Sequence, residues 1–328
     1  MNYFQNKGIS FIESNKKIIS YLKSNDFFYI ITHMYPDGDA LGSAFGLCLA
    51  LQKLGKHAKV LNEDDIPKKF RFLYDYVKKE DFECKSVISV DLAEASLLRP
   101  ELKTYEDKID VCIDHHKVNK FKAPLSCINP SAAACCEIIY RIIKDLGVDI
   151  DKEIAACLYT GISTDTGCFE YSNTSADSHY IAAKLMECGA PVAKINESIF
   201  TKKSRIKLET EKNMYKNLVY FFSGKCAITH ISINEMEKIG ITDNELDGIA
   251  SIPIKIEGVE IGITLREKVG GIYKVSVRTS ENIDASKFCE YFQGGGHQRA
   301  AGFTISGTIS EIYEKINNVL IHEFGWKK

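Results

Sequence analysis

Short apolar runs alternate with segments of helical period through the first half of the chain. Residues 27–32 form an almost unbroken apolar run that predicts a buried strand, and the Leu-, Ala- and Gly-rich stretch 41–54 predicts a helix. Further strands are predicted at 57–61, 86–90 and 109–113, with helices at 132–146, 152–162 and 176–188. Strands alternating with helices imply a mostly parallel sheet covered by helices on both faces. The rhythm then changes. Runs at 218–222 and 226–231 lie close together, and 259–266 and 273–278 flank the Gly270-Gly271 turn, a spacing that predicts hairpins. With a helix at 285–292, the second half reads as a smaller α/β unit with a mixed sheet. The expected division is 1–190 for the first domain, 191–217 for a charged helical linker and 218–328 for the second domain.

Composition agrees with two ordinary globular domains: 328 residues, 45% hydrophobic and 26% charged. Eleven cysteines without paired spacing predict buried thiols in a reducing compartment rather than disulfides. No apolar run approaches the ~18 residues of a membrane span, and Met1–Lys7 lacks an apolar leader core, so a cytoplasmic protein without a membrane partner is expected. Net charge is −2, which argues against a grip on long nucleic acid. The basic cluster Lys202-Lys203-Ser204-Arg205-Ile206-Lys207 reads as the solvated side of a helix. A polyanionic substrate would be a short one.

Polar residues interrupt this pattern at the ends of the predicted strands. His33-x-x-x-Asp37-x-Asp39 follows the first, Asp91 follows 86–90, Asp114-His115-His116 follows 109–113, and Asp165 stands in Ser163-Thr-Asp-Thr-Gly167. In open α/β sheets ligands gather outside the carboxyl ends of the strands. Each block alone has a plainer reading: Asp37-Gly38 suits a turn, Asp91 a helix cap, Asp165 a turn before Gly167. Together they supply four aspartates and two histidines as candidate donors for a pair of divalent cations. Carboxylates with imidazoles and no thiolate favour Mn²⁺ or Mg²⁺, and the imidazoles favour Mn²⁺. Two such ions ~3.5–4 Å apart suit in-line displacement at a phosphate ester or anhydride.

These four blocks resemble, in order and spacing, the motifs of the DHH phosphoesterase superfamily, named for the Asp114-His115-His116 triplet. Gly294-Gly295-Gly296-His297-Gln298-Arg299-Ala300-Ala301-Gly302-Phe303 resembles the signature of its DHHA1 domain. The likeness runs from about Phe27 to Phe303 and is greatest to the subgroup of bifunctional oligoribonucleases and pAp phosphatases, the nanoRNases. It implies that His33 and Asp37 bind one metal, Asp39, His115 and Asp165 the other, and that Asp91 bridges them. It further implies that His116 faces the scissile phosphate and that Asp114 orients a neighbouring imidazole.

In the second domain the resemblance gives Arg278 to the substrate. The glycines Gly294, Gly295 and Gly296 would let backbone N–H groups approach a phosphate, with His297 and Arg299 adding charge. Stacking of bases on Tyr291, Phe292 or another aromatic is expected to be loose. The implied substrates are RNAs of a few nucleotides and adenosine 3′,5′-bisphosphate (pAp), whose 3′-phosphate would be removed to leave AMP, and a homodimer is expected by analogy. Two other readings stay open: a stand-alone phosphodiesterase of linear or cyclic dinucleotides (pApA, cyclic di-AMP), and a nucleotide-binding module without activity. The DHHA1-like signature argues against the inorganic pyrophosphatases of the superfamily, whose second domain differs.

Overall fold

The computed structural model describes residues 9–61, 66–241, 246 and 248–327. Met1–Lys7, read above for a leader, lies outside them. The chain divides into two compact units between Lys202 and Lys203. The stretch predicted as a linker is therefore shared, 191–202 going with the first unit and the remainder with the second.

The first unit runs α1 (Ile9–Ser24), β1 (Phe28–Ile31), α2 (Gly38–Lys53), β2 (Ala58–Val60), α3 (Arg71–Tyr74), β3 (Ser86–Val90), β4 (Ile109–Asp114), β5 (Leu125–Ile128), α4 (Cys135–Leu146), α5 (Lys152–Asp165), α6 (Ala176–Glu187) and α7 (Val192–Asn196). Its five strands are all parallel, in the order β2-β1-β3-β4-β5. Alternation sorts their side chains between two cores. Phe28, Ile30, Ile88, Val90, Val111 and Ile113 pack with α1, α2, α4 and α5, whereas Ile31, Val87, Ile109 and Cys112 pack with Leu92, Leu98 and Leu102. That second face is covered by 3₁₀ turns, Ala95–Leu97 and Pro100–Lys108, rather than by α-helices. Its covering sequence is charged, and its apolar residues Leu102 and Tyr105 recur at the three-residue period of a 3₁₀ turn.

Strand order reverses direction between β1 and β3, the switch point at which α/β sheets open a crevice at their carboxyl ends. α2 passes close to α5 there. A Cβ on Gly42 would meet Cys157 O at 2.4 Å, and one on Gly161 would meet Asp39 Cα at 3.0 Å. Glycine at these crossings lets the two helices approach backbone to backbone.

The second unit runs α8 (Arg205–Lys216), β6 (Val219–Phe221), β7 (Cys226–Ile231), α9 (Ile233–Ile239), β8 (Ile261–Lys268), β9 (Ile272–Thr279), α10 (Ala285–Glu290), β10 (Gly295–His297), β11 (Ala300–Ser306) and α11 (Ile309–His322). The sheet order is β10-β11-β9-β8-β7-β6, antiparallel except for the β7–β8 pair. Ile261, Ile263, Leu265, Val275, Val277 and Phe303 face a core closed by α10 and α11 through Phe288, Ile312, Ile316 and Leu320. Burying each such side chain contributes ~1.5–3 kcal/mol before conformational entropy is charged against it. Lys202, Lys203 and Ser204 of the basic cluster precede α8 and Arg205 to Lys207 open it; Lys203 pairs with Glu211 of the helix at 2.6 Å, and within the helix Lys212 pairs with Glu209 at 3.0 Å. Among the described residues no helix is long and apolar enough to cross a membrane.

Candidate metal centre

Each donor is delivered by the end of a regular element. His33 follows β1, Asp91 follows β3, Asp114 ends β4, and Asp165 is the last residue of α5. Asp37 is the N-cap of α2, its Oδ1 accepting from the N–H groups of Asp39 and Ala40 at 3.0 Å each. Asp39, fully buried in the first turn of α2, caps a second helix. Its Oδ2 accepts from Cys135 N at 2.5 Å and its Oδ1 from Cys136 N at 2.9 Å, at the start of α4. This capture sets the helix start at Cys135 rather than at 132, because the anion satisfies the open N–H groups of α4 and meets its positive end.

Three overlapping groups of donors converge, each with its atoms within 4.8 Å of one another: His33–Asp37–Asp91, Asp39–His115–Asp165 and Asp91–His115–His116. Asp91 joins them. Its Oδ2 lies 4.0 Å from His33 Nε2 and its Oδ1 3.5 Å from His115 Nε2. His115 Nε2 also lies 3.8 Å from Asp39 Oδ2 and 3.4 Å from Asp165 Oδ2. Asp91 adopts φ +52, a left-handed conformation that costs a non-glycine residue ~1–3 kcal/mol and is typical of functional positions. A left-handed run Gly167–Cys168–Phe169 follows Asp165.

The electrostatics favour a cation. Burial, then repulsion from Asp39, Asp37 and Asp165, raises the Asp91 carboxyl well above its ordinary range. Burial with repulsion from Asp39 and Asp37 pushes Asp165 up to about 9, and burial raises Asp39 as well. The buried Oδ1 of Asp91 accepts no hydrogen bond among the described residues. Burial lowers the His33 pKa, leaving a neutral ring with a lone pair to donate. His115 Nδ1 lies 3.2 Å from Ala132 O, a contact that fixes the proton on Nδ1 and frees Nε2 toward the carboxylates. Crowded acids, the neutral His33 ring and an orphaned buried oxygen fit divalent cations.

Asp114 and His116 form a different pair. His116 Nδ1 lies 2.7 Å from Asp114 Oδ1, while Asn119 Nδ2 donates to Asp114 Oδ2 at 2.7 Å. Burial works against the Asp114 charge, but these hydrogen bonds outweigh it and hold the carboxyl below its usual range. The same bond from Asp114 raises the His116 pKa. Sequence reading missed Asn119, although it is a lone amide in a lysine-rich loop within reach of the triplet.

In the second unit, Arg278, Gly295 and Gly296 line one cavity of about 630 Å³, with Lys268 and Lys274 and with no carboxylate among its lining residues. Gly294 lies beneath it, where a Cβ would come 2.3 Å from Gly302 O, and His297 is exposed at the end of β10. The glycine run is thus half of a hairpin with β11 rather than a free loop. Arg299 is occupied structurally, donating to the carbonyls of Ser280 and Ile283. Phe292 stacks on Phe303 at 4.3 Å beside the core, and Tyr291 donates to Glu323 at 2.9 Å. A cavity of about 590 Å³ in the first unit, lined by Lys108 and Lys120 among others, holds none of the donors. The convergence of donors, rather than concavity, locates the chemistry.

Residues 28–162 match the N-terminal domain of the DHH family and residues 224–322 match the DHHA1 domain. A bifunctional oligoribonuclease and PAP phosphatase of Thermus thermophilus is 31% identical over 298 residues, 88% of this chain and 87% of that protein. The chain belongs to the DHH family. A Bacillus subtilis protein of the same description is 25% identical, over 88% of this chain and 92% of its own. An exopolyphosphatase-related protein from Bacteroides fragilis has the same fold, with a TM-score of 0.82 at 23% identity and coverage of 94% and 96% of the two chains. The donor cluster lies in the DHH domain and its immediate extension to Asp165, and the cationic cavity lies in the DHHA1 domain.

Proposed function

We propose that this chain is a phosphoesterase working with two divalent cations, Mn²⁺ first and Mg²⁺ as the alternative. It shortens RNAs of a few nucleotides to mononucleotides and removes the 3′-phosphate of pAp to give AMP. The observation that carries this reading is Asp91, whose two carboxylate oxygens face two different donor groups, as a bridge between two ions requires. Curated relatives described as oligoribonuclease and PAP phosphatase support the substrate class.

His33 and Asp37 would hold one ion, Asp39, His115 and Asp165 the other, with Asp91 shared. Bound there, the ions supply Lewis-acid polarisation of the phosphate and a nucleophile at neutral pH. The chain's own residues do the rest. His116 keeps its Nδ1 proton on Asp114, so its Nε2 is the atom that holds a proton for the leaving oxygen. Asp114, held charged by His116 and Asn119, keeps that imidazole oriented and protonated. In the DHHA1 domain, Arg278 and the backbone of Gly295 and Gly296 bind a further phosphate, helped by a cavity wall free of carboxylates.

The test is a Mn²⁺-supported turnover series with pAp, an RNA ladder from dinucleotide upward, pApA, cyclic di-AMP and pyrophosphate. Fast release of mononucleotides from the shortest RNAs, with phosphate release from pAp, is expected. A strong preference for pApA or cyclic di-AMP would overturn the substrate assignment in favour of a dinucleotide phosphodiesterase. Tight nucleotide binding without turnover would overturn the enzyme itself.

A further inference from the structure

Every loop that brings a donor to the metal centre from a strand or helix end also carries an exposed apolar side chain. Tyr35, between His33 and Asp37, is 78% exposed, Leu97 after Asp91 is 41% exposed, Val118 after His116 is 68% exposed, and Tyr171 after Asp165 is 59% exposed. Single exposed hydrophobes are ordinary on a protein surface. Four of them, carried by loops whose donors converge on one point, put apolar side chains on the same loops as a polar centre, a combination that suits ligand contact.

The two rings are held in place and left unused. Met34 N–H donates to Leu97 O at 2.7 Å, stitching the Tyr35 loop to the loop after β3, and Pro36 restricts the backbone next to Tyr35. The Tyr171 ring lies over Gly167, where a Cβ would come 2.4 Å from its Cε1, and Tyr171 N–H donates to Thr166 O at 3.0 Å. Neither tyrosine ring has a hydrogen-bond or ring partner among the described residues. Two aromatics beside the glycine run of the second unit are differently placed. Phe292 is stacked on Phe303, and the Tyr291 hydroxyl is engaged by Glu323.

We propose that Tyr35 and Tyr171 form a nucleobase platform on the metal-bearing domain. The base of the nucleotide under attack stacks on Tyr35, and a neighbouring base stacks on Tyr171. The inference rests on the phosphoesterase reading and adds the element that it lacks, a surface for the base. Every nucleobase has a π-face, so such a platform holds short RNA without reading its sequence. An amphipathic tyrosine suits the task, because its apolar ring takes the base while its hydroxyl stays in water.

The experiment has two readouts. In the first, a 2-aminopurine dinucleotide with a non-hydrolysable methylphosphonate link is bound to the full chain with Mg²⁺, and quenching of the base reports stacking. Quenching is expected with the native chain, Tyr35→Phe and Tyr35→Trp, and is expected to be lost in Tyr35→Ala and reduced in Tyr171→Ala. In the second, the ratio of KM for a trinucleotide to KM for an abasic dinucleotide is compared across the same variants, with melting temperature as a check on folding. A rise of about tenfold in Tyr35→Ala, reversed by phenylalanine, is expected from the loss of one base–ring stack. Equal losses on both substrates would show that Tyr35 only positions its loop and would overturn the platform, as would unchanged quenching in Tyr35→Ala. If the native chain turns over neither RNA nor pAp yet Tyr35→Ala still loses quenching, the platform stands and the substrate assignment falls.

Discussion

Gly161 lies against Asp39 with room for a hydrogen and nothing larger: a Cβ at 161 would come 2.7 Å from Asp39 Oδ1 and 3.0 Å from its Cα. The helix that ends at Asp165 is therefore seated directly on another donor of the cluster. Gly161→Ala, helically conservative, is expected to push Asp39 off α4. A loss of stability of ~1–3 kcal/mol from overpacking should be seen in urea unfolding. Weaker cation binding should accompany it in calorimetry. Unchanged cation affinity would mean that Asp39 tolerates the shift.

Asp91→Asn removes a buried carboxyl that is repelled by four others, Asp39, Asp37, Asp165 and Asp114, and whose Oδ1 has no hydrogen-bond donor among the described residues. The cation-free protein is expected to melt at the same temperature as the native chain or higher. Mn²⁺ should raise the melting temperature of the native chain by mass action, and this rise should shrink or vanish in the variant. Turnover should fall by about a thousandfold or more, since removal of a shared ligand disables both ion positions. Native-like turnover in Asp91→Asn would remove the bridge from the mechanism.

The raised pKa values set the direction of a pH effect. A carboxyl with a folded-state pKa above its unfolded value favours the native state at low pH and penalises it as pH rises toward the folded pKa. With Asp165 at about 9 and Asp91 raised well above its usual range, the cation-free protein should lose stability steadily from about pH 4 to about pH 9. Cation binding must expel the protons that these groups hold at pH 7. Protons should therefore be released on Mn²⁺ addition, seen as a buffer-dependent enthalpy, and affinity should rise with pH. Absence of proton release at pH 7 would mean that the cluster is already ionised.

Glu235 in the second unit gives the opposite sign. Despite a partial burial that opposes its charge, hydrogen bonds from Ser232, Asn217 and Asn213 hold it at about 2, against an ordinary 4.5. It completes the capping box of α9 with Ser232. A depressed folded pKa gives stability that is present above about pH 4.5 and lost as pH falls toward 2. Glu235→Gln should cost ~1 kcal/mol at pH 7, the worth of a helix cap, and the difference from the native chain should be smaller at pH 2.5. Melting curves at the two pH values check it.

Much of the fold was legible because its signals are local. The 86–90 strand is a short run of Val and Ile with two small serines, bounded by Lys85 and Asp91, and its observed limits are those predicted. The early helix was placed at 41–54 and begins instead at Gly38, because Asp37 caps it, a fact hidden by reading Asp37 only as a ligand. α1 was passed over because its amphipathic face is diluted by lysine and serine, and its burial through Ile18 and Leu22 depends on β5 and α4. β5 itself is short and half-exposed, with too little alternation to register.

At the site, His33, Asp91 and His115 could be found from strand ends, since topology alone brings those ends together. The partners Cys135, Cys136, Ala132 and Asn119 could not. Three of those four contacts are made through backbone atoms, which any residue type supplies and no composition reveals. The glycine run reads in sequence as backbone open to a phosphate, but its pairing with β11 depends on a register that only the folded sheet supplies.

The double duty of Asp39 bears on how such a chain can change over generations. Because the same carboxylate caps α4 and faces the donor cluster, a lineage released from catalysis could shed His116 or Asp165 with little structural penalty, whereas losing Asp39 would unseat a helix. In a descendant drifting toward inactivity, this aspartate should be among the last of the ligands to disappear. Its presence in a distant sequence is therefore evidence of inherited architecture before it is evidence of activity.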